Sequence, residues 1–414
     1  MTGREESTVW RSHAGIGRTN RMSNPRVRLL DLMRQTEDPR VINLAAGIPS
    51  PDFLPLDALK TALEQEVASQ ARAMFSYHRP EGAAPLREAI SEYLAARGVQ
   101  APPDQVLVTV GCSGALASVI GTVLKKGDTV VCEAPAYYGL LELLSAAGVK
   151  FRPVPTAVGQ EPDPKRWEKA IRAKPKPKLV VLTSSLSNPS GATLPEAWRA
   201  QLVEVCRKAK VPILEDDIYG DLLGQNRPKP LRAFDDGSTV LLATSFSKTV
   251  APGLRIGFSL PGPWLEAAAD RQCRQSIHGA VPPEYLTAAF LRSGRLRGHL
   301  EMLKTVYEKR RELALGILRR GLPEGIRADD PQGGYMLWVR GGRAGMIEEV
   351  RKQCLARGVA VVGGGIFFTQ SPKEACFRLN CARATVEDLA RGMEIFCEVV
   401  TAAAGRSGGR KSRT

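Results

Sequence analysis

Residues Thr244–Phe258 read "TSFSKTVAPGLRIGF". One lysine, Lys248, and one arginine, Arg255, stand in otherwise small and apolar company. The apolar run "TVLLATS" (239–245) leads into this stretch and "RIGFSL" (255–260) closes it. Both have the length and composition of buried strands. The two cations therefore lie at strand ends, where a packed core gains nothing from a charge.

The same texture recurs upstream. "QVLVTV" (105–110), "TVVCEAP" (129–135), "LVVLTSS" (179–185) and "VPILEDD" (211–217) are short apolar runs. Between them lie helical stretches such as "SGALASVIGTVLKK", "YYGLLELLSAAG" and "PEAWRAQLVEVCRKA". Strands of this length separated by helical spacers predict an α/β domain with a mostly parallel sheet. Sheets of that kind bind ligands at the carboxyl ends of their strands. Past Gly294 the pattern changes. "HLEMLKTVYEKRRELALGILRRG" has the three- and four-residue apolar spacing of a long helix. "GGYMLWVRG", "VVGGGIFF" and "CFRLNCA" follow as strands, predicting a second, smaller α+β unit.

A chain of 414 residues has room for two or three domains. Its eight cysteines show no Cys-x-x-Cys pair and its four histidines are isolated, which argues for reduced thiols in a cytoplasm and against a metal site. There is no apolar run of about 18 residues, so no membrane span is expected. Part of the +15 net charge sits at the two ends, as in the tail "GRSGGRKSRT". Such ends read as solvated, disordered termini rather than as a nucleic-acid site.

Several strand ends carry polar residues. "VPILEDDIYGDL" places Glu215, Asp216 and Asp217 just before Tyr219, and "LVVLTSSLSNPSG" ends at Asn188. "VTVGCSGAL" turns on Gly111 and Gly114 into a helix, offering free N–H groups and a positive helix end to an anion. It lacks the Gly-Lys-Ser/Thr of a Walker loop and is not a G-x-G-x-x-G turn. A lysine at a crowded strand end can form a Schiff base with an aldehyde. A carboxylate beside a pyridine nitrogen keeps it protonated as an electron sink, and an arginine can neutralise a phosphate on the glycine turn. Pyridoxal 5'-phosphate (PLP) needs this set of groups.

From Arg26 to Val400 the chain resembles the fold-type I, class I/II aminotransferases. It is most similar to the 2-aminoadipate/kynurenine-type enzymes and to the aminotransferase domains of MocR-type regulators. The motifs are "INLAAGIPSPDFLP", "FSYHRPEGAAPLREAI", "NPSG", "EDDIYGDL", "SFSKTVAPGLRIGF" and "FRLN". The resemblance implies a large PLP-binding domain with a mostly parallel seven-stranded sheet flanked by helices, plus a smaller α+β domain. The corresponding boundaries are 1–25 for a disordered extension, 26–55 for an N-terminal segment at the active-site edge, 56–302 for the large domain, 303–402 for the small one and 403–414 for a disordered tail.

The resemblance also implies roles. Lys248 matches the Schiff-base lysine that also shuttles the substrate proton. Asp216 matches the partner of the pyridine nitrogen, with Asp217 as the competing choice. Tyr219 and Asn188 match donors to the ring's phenolic oxygen, and Tyr137, with Tyr138 as rival, matches the aromatic stacked on the ring. Cys112, Ser113, Ser245 and Arg255 match the phosphate cup. Tyr77 matches a tyrosine reaching the phosphate from a neighbouring subunit, which implies a homodimer with shared active sites; its alternative is simple packing. Arg378 matches the grip on the substrate α-carboxylate, with Arg383 its nearest competitor, and Gly47 belongs to the substrate edge. Arg26 and Arg28 either meet an acidic substrate or face solvent. The chain departs from the subgroup in "NPSG" for "NPTG", "GCSGAL" for "GSQQAL", and Tyr285 where glutamine is frequent.

The implied reaction is ping-pong amino transfer from an L-amino acid to a 2-oxo acid. Its alternatives are β-elimination or cyclisation on the same fold, or a MocR-like regulator. About 25 residues precede the matching region, too few for a DNA-binding domain.

Overall fold

The computed structural model describes residues 38–157, 162–224 and 227–406. The expectations about the extreme ends, including Arg26 and Arg28, lie outside the described residues. A short strand, β1 (Ile42–Asn43), comes first. The large sheet follows: β2 (Leu107–Val110), β3 (Thr129–Ala134), β4 (Lys150–Pro155), β5 (Leu179–Thr183), β6 (Ile213–Asp216), β7 (Val240–Ser245) and β8 (Ile256–Leu260). Their spatial order is β2-β8-β7-β6-β5-β3-β4. Every neighbouring pair is parallel except those of β8, which runs against both β2 and β7.

Why these strands read as unbroken apolar runs follows from where their alternate side chains go. In β5, Leu179 and Val181 join the core under helix Gly111–Val123. Val180 and Leu182 join the opposite core, under helices Pro164–Arg172 and Glu196–Ala209. β6 and β7 split in the same way, Leu214 and Leu241 to one face and Ile213 and Val240 to the other. A sheet covered on both faces has no polar face to show. β4 escapes that pattern. It is an edge strand, largely uncovered, with prolines at 153 and 155 and exposed ends, and no apolar run marks it in the sequence.

The 27-residue helix Arg295–Gly321 leads to the second sheet. Its strands are β9 (Ile326–Ala328), β10 (Met336–Arg343), β12 (Val362–Gly363) and β13 (Glu374–Asn380), in the order β12-β13-β10-β9 and all antiparallel. The intervening β11 (Val359–Ala360) pairs instead with β1. "VVGGGIFF" gives only two residues of β12 before a 3-10 turn over Gly364–Phe367, since three successive glycines resist an extended strand. Helix Val386–Gly405 covers this sheet and runs past residue 402, where the sequence suggested order would end. Among the described residues no helix is long and apolar enough to cross a membrane.

Candidate active site

Strand ends from the large sheet converge on a cleft of about 510 Å³. Gly47, Cys112, Ser113, Tyr137, Asn188, Asp216, Tyr219, Ser245, Lys248, Arg255 and Arg378 all line it. Tyr77 does not. It is 82% exposed and rests edge-on against His278, with ring centroids 5.3 Å apart.

The three acidic residues after β6 go three ways. Strand alternation sends Asp216 to the face of helix Gly111–Val123, where its Oδ1 accepts from the Ile218 N–H at 3.2 Å and the Cys112 thiol at 3.5 Å. Glu215 points to the opposite face and accepts from Ser184 Oγ at 2.5 Å and the N–H groups of Leu231 and Arg232. Asp217 turns away from the cleft into ion pairs with Arg97 and Arg227. The choice between Asp216 and Asp217 is therefore one of direction: Asp216 faces the cleft. Burial pushes its carboxyl up to about 7, against the pull of its hydrogen bonds.

Lys248 follows β7 in a short 3-10 turn that begins at Ser245, whose Oγ accepts from the Ser247 N–H. The Lys248 ammonium donates to Gly47 O at 2.8 Å and lies 6.0 Å from the centre of the Tyr219 ring. Burial lowers its pKa to about 8, aided by the positive charge of Arg378. A neutral amine is thus within reach near physiological pH, as attack on an aldehyde requires.

The floor of the cleft is an anion cradle. Helix Gly111–Val123 begins without any side-chain cap, leaving its first N–H groups free for a ligand. Gly111 has φ +68°, and a Cβ there would come within 2.6 Å of Arg255 Nη2. A Cβ on Gly257 would lie 2.3 Å from the Gly111 carbonyl carbon. Backbone thus packs on backbone, with Arg255 held over the turn in a left-handed conformation at φ 54°. Ser247 Oγ, which the sequence reading left without a role, is buried here with no hydrogen-bond partner. An oxyanion in the cradle would supply the partner such a group calls for.

Arg378 comes from the small sheet. Odd-numbered residues of β13, Phe377 and Leu379, enter that unit's core, so Arg378 projects the other way, fully buried. Its Nη1 donates to Asn188 Oδ1 at 2.9 Å and its Nη2 to Ala45 O, while Nε has no partner. Two aromatic rings flank it, Tyr138 at 5.9 Å and Phe367 at 5.2 Å. Tyr137 and Tyr138 both line the cleft, with centroids 5.0 Å apart. Tyr138 leans on Phe367 and Arg378, whereas the Tyr137 ring lies across Gly139. Arg383 is not among the cleft residues.

A further carboxylate went unnoticed in the sequence. Glu133, at the end of β3, accepts from the Thr183 N–H at 2.9 Å and from Ser187 Oγ at 3.0 Å, which ties down the loop carrying Asn188. Burial pushes its carboxyl up to about 8. A glutamate inside the apolar run "VVCEA" was the available signal.

A cradle of free N–H groups, an arginine, a lysine with depressed pKa and a cleft-facing carboxylate are the kinds of group a fold-type I PLP enzyme needs. The family model for class I and II aminotransferases matches residues 39–396. The chain belongs to that family, whose cofactor is pyridoxal 5'-phosphate. It is 29% identical to the 2-aminoadipate transaminase of Thermus thermophilus, covering 88% of this chain and 91% of that protein. It is 31% identical to the HTH-type transcriptional regulator YdcR of Escherichia coli, over 86% of this chain and 76% of the regulator. Among solved structures it is similar to LysN, the alpha-aminoadipate aminotransferase of Thermus thermophilus, complexed with N-(5'-phosphopyridoxyl)-L-leucine. There the TM-score is 0.83 and the identity 26%, covering 91% of this chain and 95% of that one.

Proposed function

We propose that this aminotransferase moves an amino group from an L-amino acid to a 2-oxo acid in two half-reactions, with Lys248 as the residue that binds the cofactor and carries the proton. Bound pyridoxal phosphate supplies an aldehyde for amine exchange and a ring that delocalises the electrons of the substrate Cα–H bond. The protein's share is placement. Asp216 holds a proton at the ring nitrogen, and Tyr219 with Asn188 holds the ring oxygen. Tyr137 packs on the ring, while Cys112, Ser113, Ser245 and Arg255 hold the phosphate. Arg378 takes the substrate carboxylate in a two-pronged grip, with Gly47 beside it. The observation that carries the reading is the convergence of Lys248, Asp216 and Arg378 on one cleft from three separate sheet positions.

In this reading residues 56–302 form the cofactor domain and 303–402 the substrate-gripping one, in a cytoplasmic homodimer. Two features support the dimer. Tyr77 stands free of its own cleft, and apolar Leu63, Val67 and Phe75 are exposed along and just after helix Leu56–Met74. The eight cysteines are all free thiols, in keeping with a reducing compartment.

The test is a single-turnover screen. The yellow holoenzyme is mixed with each amino acid, and loss of its visible absorbance is followed alongside 2-oxo acid and ammonia. Stoichiometric 2-oxo acid without ammonia is expected for at least one donor. Ammonia from every reactive donor would establish elimination instead, and no response to any amino acid would favour a ligand-sensing role.

A further inference from the structure

Behind the cleft, on the far side of β6, lies a closed set of charges that the proposed reaction does not use. Arg97 follows helix Ala84–Ala95, and Tyr93 is on that helix. Arg97 Nη1 donates to Tyr93 Oη at 2.6 Å, and Tyr93 Oη donates to Asp221 Oδ2 at 2.5 Å. Arg97 Nη2 donates to Asp217 Oδ2, which also accepts from Arg227 Nη2 at 3.0 Å. Arg227 Nη1 closes the ring on Asp221 Oδ1. Two guanidiniums thus balance two carboxylates in a nearly dry place. The side chains of Arg97, Asp217 and Arg227 are 8%, 1% and 19% exposed.

This cluster sits under the segment that delivers the site. Asp217 is the chain neighbour of Asp216, and Asp221 lies two residues beyond Tyr219. Gly220 leaves the cluster its space, since a Cβ there would lie 2.3 Å from Asp217 Oδ1 and 2.4 Å from Arg227 Nη2. The Asp217 main chain is fastened as well, its N–H to Ala243 O at 3.0 Å and its carbonyl to Thr244 Oγ1 at 3.2 Å. At a strand end, fixing one side chain on one face sets the direction of its neighbour on the other.

We propose that Arg97 and Arg227 are positioning residues for the cofactor. By clamping Asp217 and Asp221 they aim Asp216 and Tyr219 into the cleft, and by neutralising Asp217 they let its neighbour Asp216 stay ionised. The electrostatic half follows from proximity. An unpaired Asp217 carboxylate would oppose ionisation of Asp216, already disfavoured by burial. A neutral Asp216 cannot hold a positive ring nitrogen. The proposal rests on the functional reading above, because it needs a pyridine ring for Asp216 to meet.

The test measures how tightly the protein holds pyridoxal phosphate, read by absorbance in a dilution series of the holoenzyme. Arg227→Met and Arg97→Met keep the apolar stems and remove the charge. Each should loosen retention roughly tenfold, a coupling of the size found within contacting networks. Arg97→Lys should recover part of the loss. The decisive arm repeats the substitutions on an Asp216→Asn background, where they should cost clearly less, because the electrostatic half of their effect is gone and only the aim of Tyr219 remains. A purely structural role would lower thermal stability by the same amount in both backgrounds and leave retention untouched or additive. If Arg97→Met does not fold, Arg227→Met, at the more exposed edge, decides the matter alone. Wild-type retention with unchanged binding in Arg227→Met, or full additivity with Asp216→Asn, would overturn this proposal alone. A wild-type chain that holds no pyridoxal phosphate would overturn the functional reading and this one with it.

Discussion

The two sheets serve the cleft in different ways. The large one delivers through strand ends. β5, β6 and β7 are parallel, so their carboxyl ends lie side by side, and residues at or past those ends (Asn188, Asp216 and Lys248) line one cleft. The small sheet is antiparallel, and its strand ends do not gather at one edge. It contributes Arg378 from within β13, by turning one side of the strand outward. A parallel sheet can therefore assemble several groups for chemistry, whereas the antiparallel one supplies a single anchored charge. In the proposed reading, cofactor work falls to the first and substrate capture to the second.

Tests at three residues can break or sharpen that contrast. The largest effect is expected from Lys248→Ala. Removing the proton carrier should cut turnover roughly 10³-fold, the scale of a positioned acid–base group. Borohydride reduction of wild-type holoenzyme followed by peptide mapping should place a pyridoxyl adduct on Lys248. An adduct on another lysine would detach the chemistry from the end of β7. A smaller effect is expected from Arg378→Lys. An ammonium cannot copy the parallel two-bond grip, so the apparent KM should rise about tenfold for every donor with kcat little altered. A defect confined to acidic donors would move Arg378 into the side-chain pocket. The smallest belongs to a residue in neither sheet. Tyr77→Phe should loosen the cofactor about fivefold, the worth of one hydrogen bond. Mixing Tyr77→Ala chains with inactive Lys248→Ala chains after partial unfolding should restore wild-type cofactor retention at one site of each hybrid dimer, since that site keeps both groups. If hybrids form and hold the cofactor no better than Tyr77→Ala alone, Tyr77 serves its own chain.

The same contrast explains what could be read from the sequence. Strands covered on both faces appear as continuous apolar runs, and a polar residue ending such a run stands out, as Lys248 and Asn188 do. Arg378 has no such frame. It is one charge inside "CFRLN", and only the family resemblance marked it. The adjacent acids 215–217 were legible as a group but not individually, because sequence does not say which face of the strand meets the cleft. The partners of Asp217 were invisible, since Arg97 approaches it from just past helix 84–95 and Arg227 from ten residues further along the chain. β4 was missed because two prolines and exposed polar positions hide an edge strand.

The contact between Gly257 and Gly111 has a consequence for how such a protein can diverge. The donors that this turn offers to an anion are main-chain amides, present whatever side chains surround them. Their position is set by two backbones touching, with no room for even a methyl group between them. Mutation can therefore rewrite most of the neighbourhood, Cys112 included, without moving the amides, provided both glycines stay. Such an anchor is inherited as an absence of side chains.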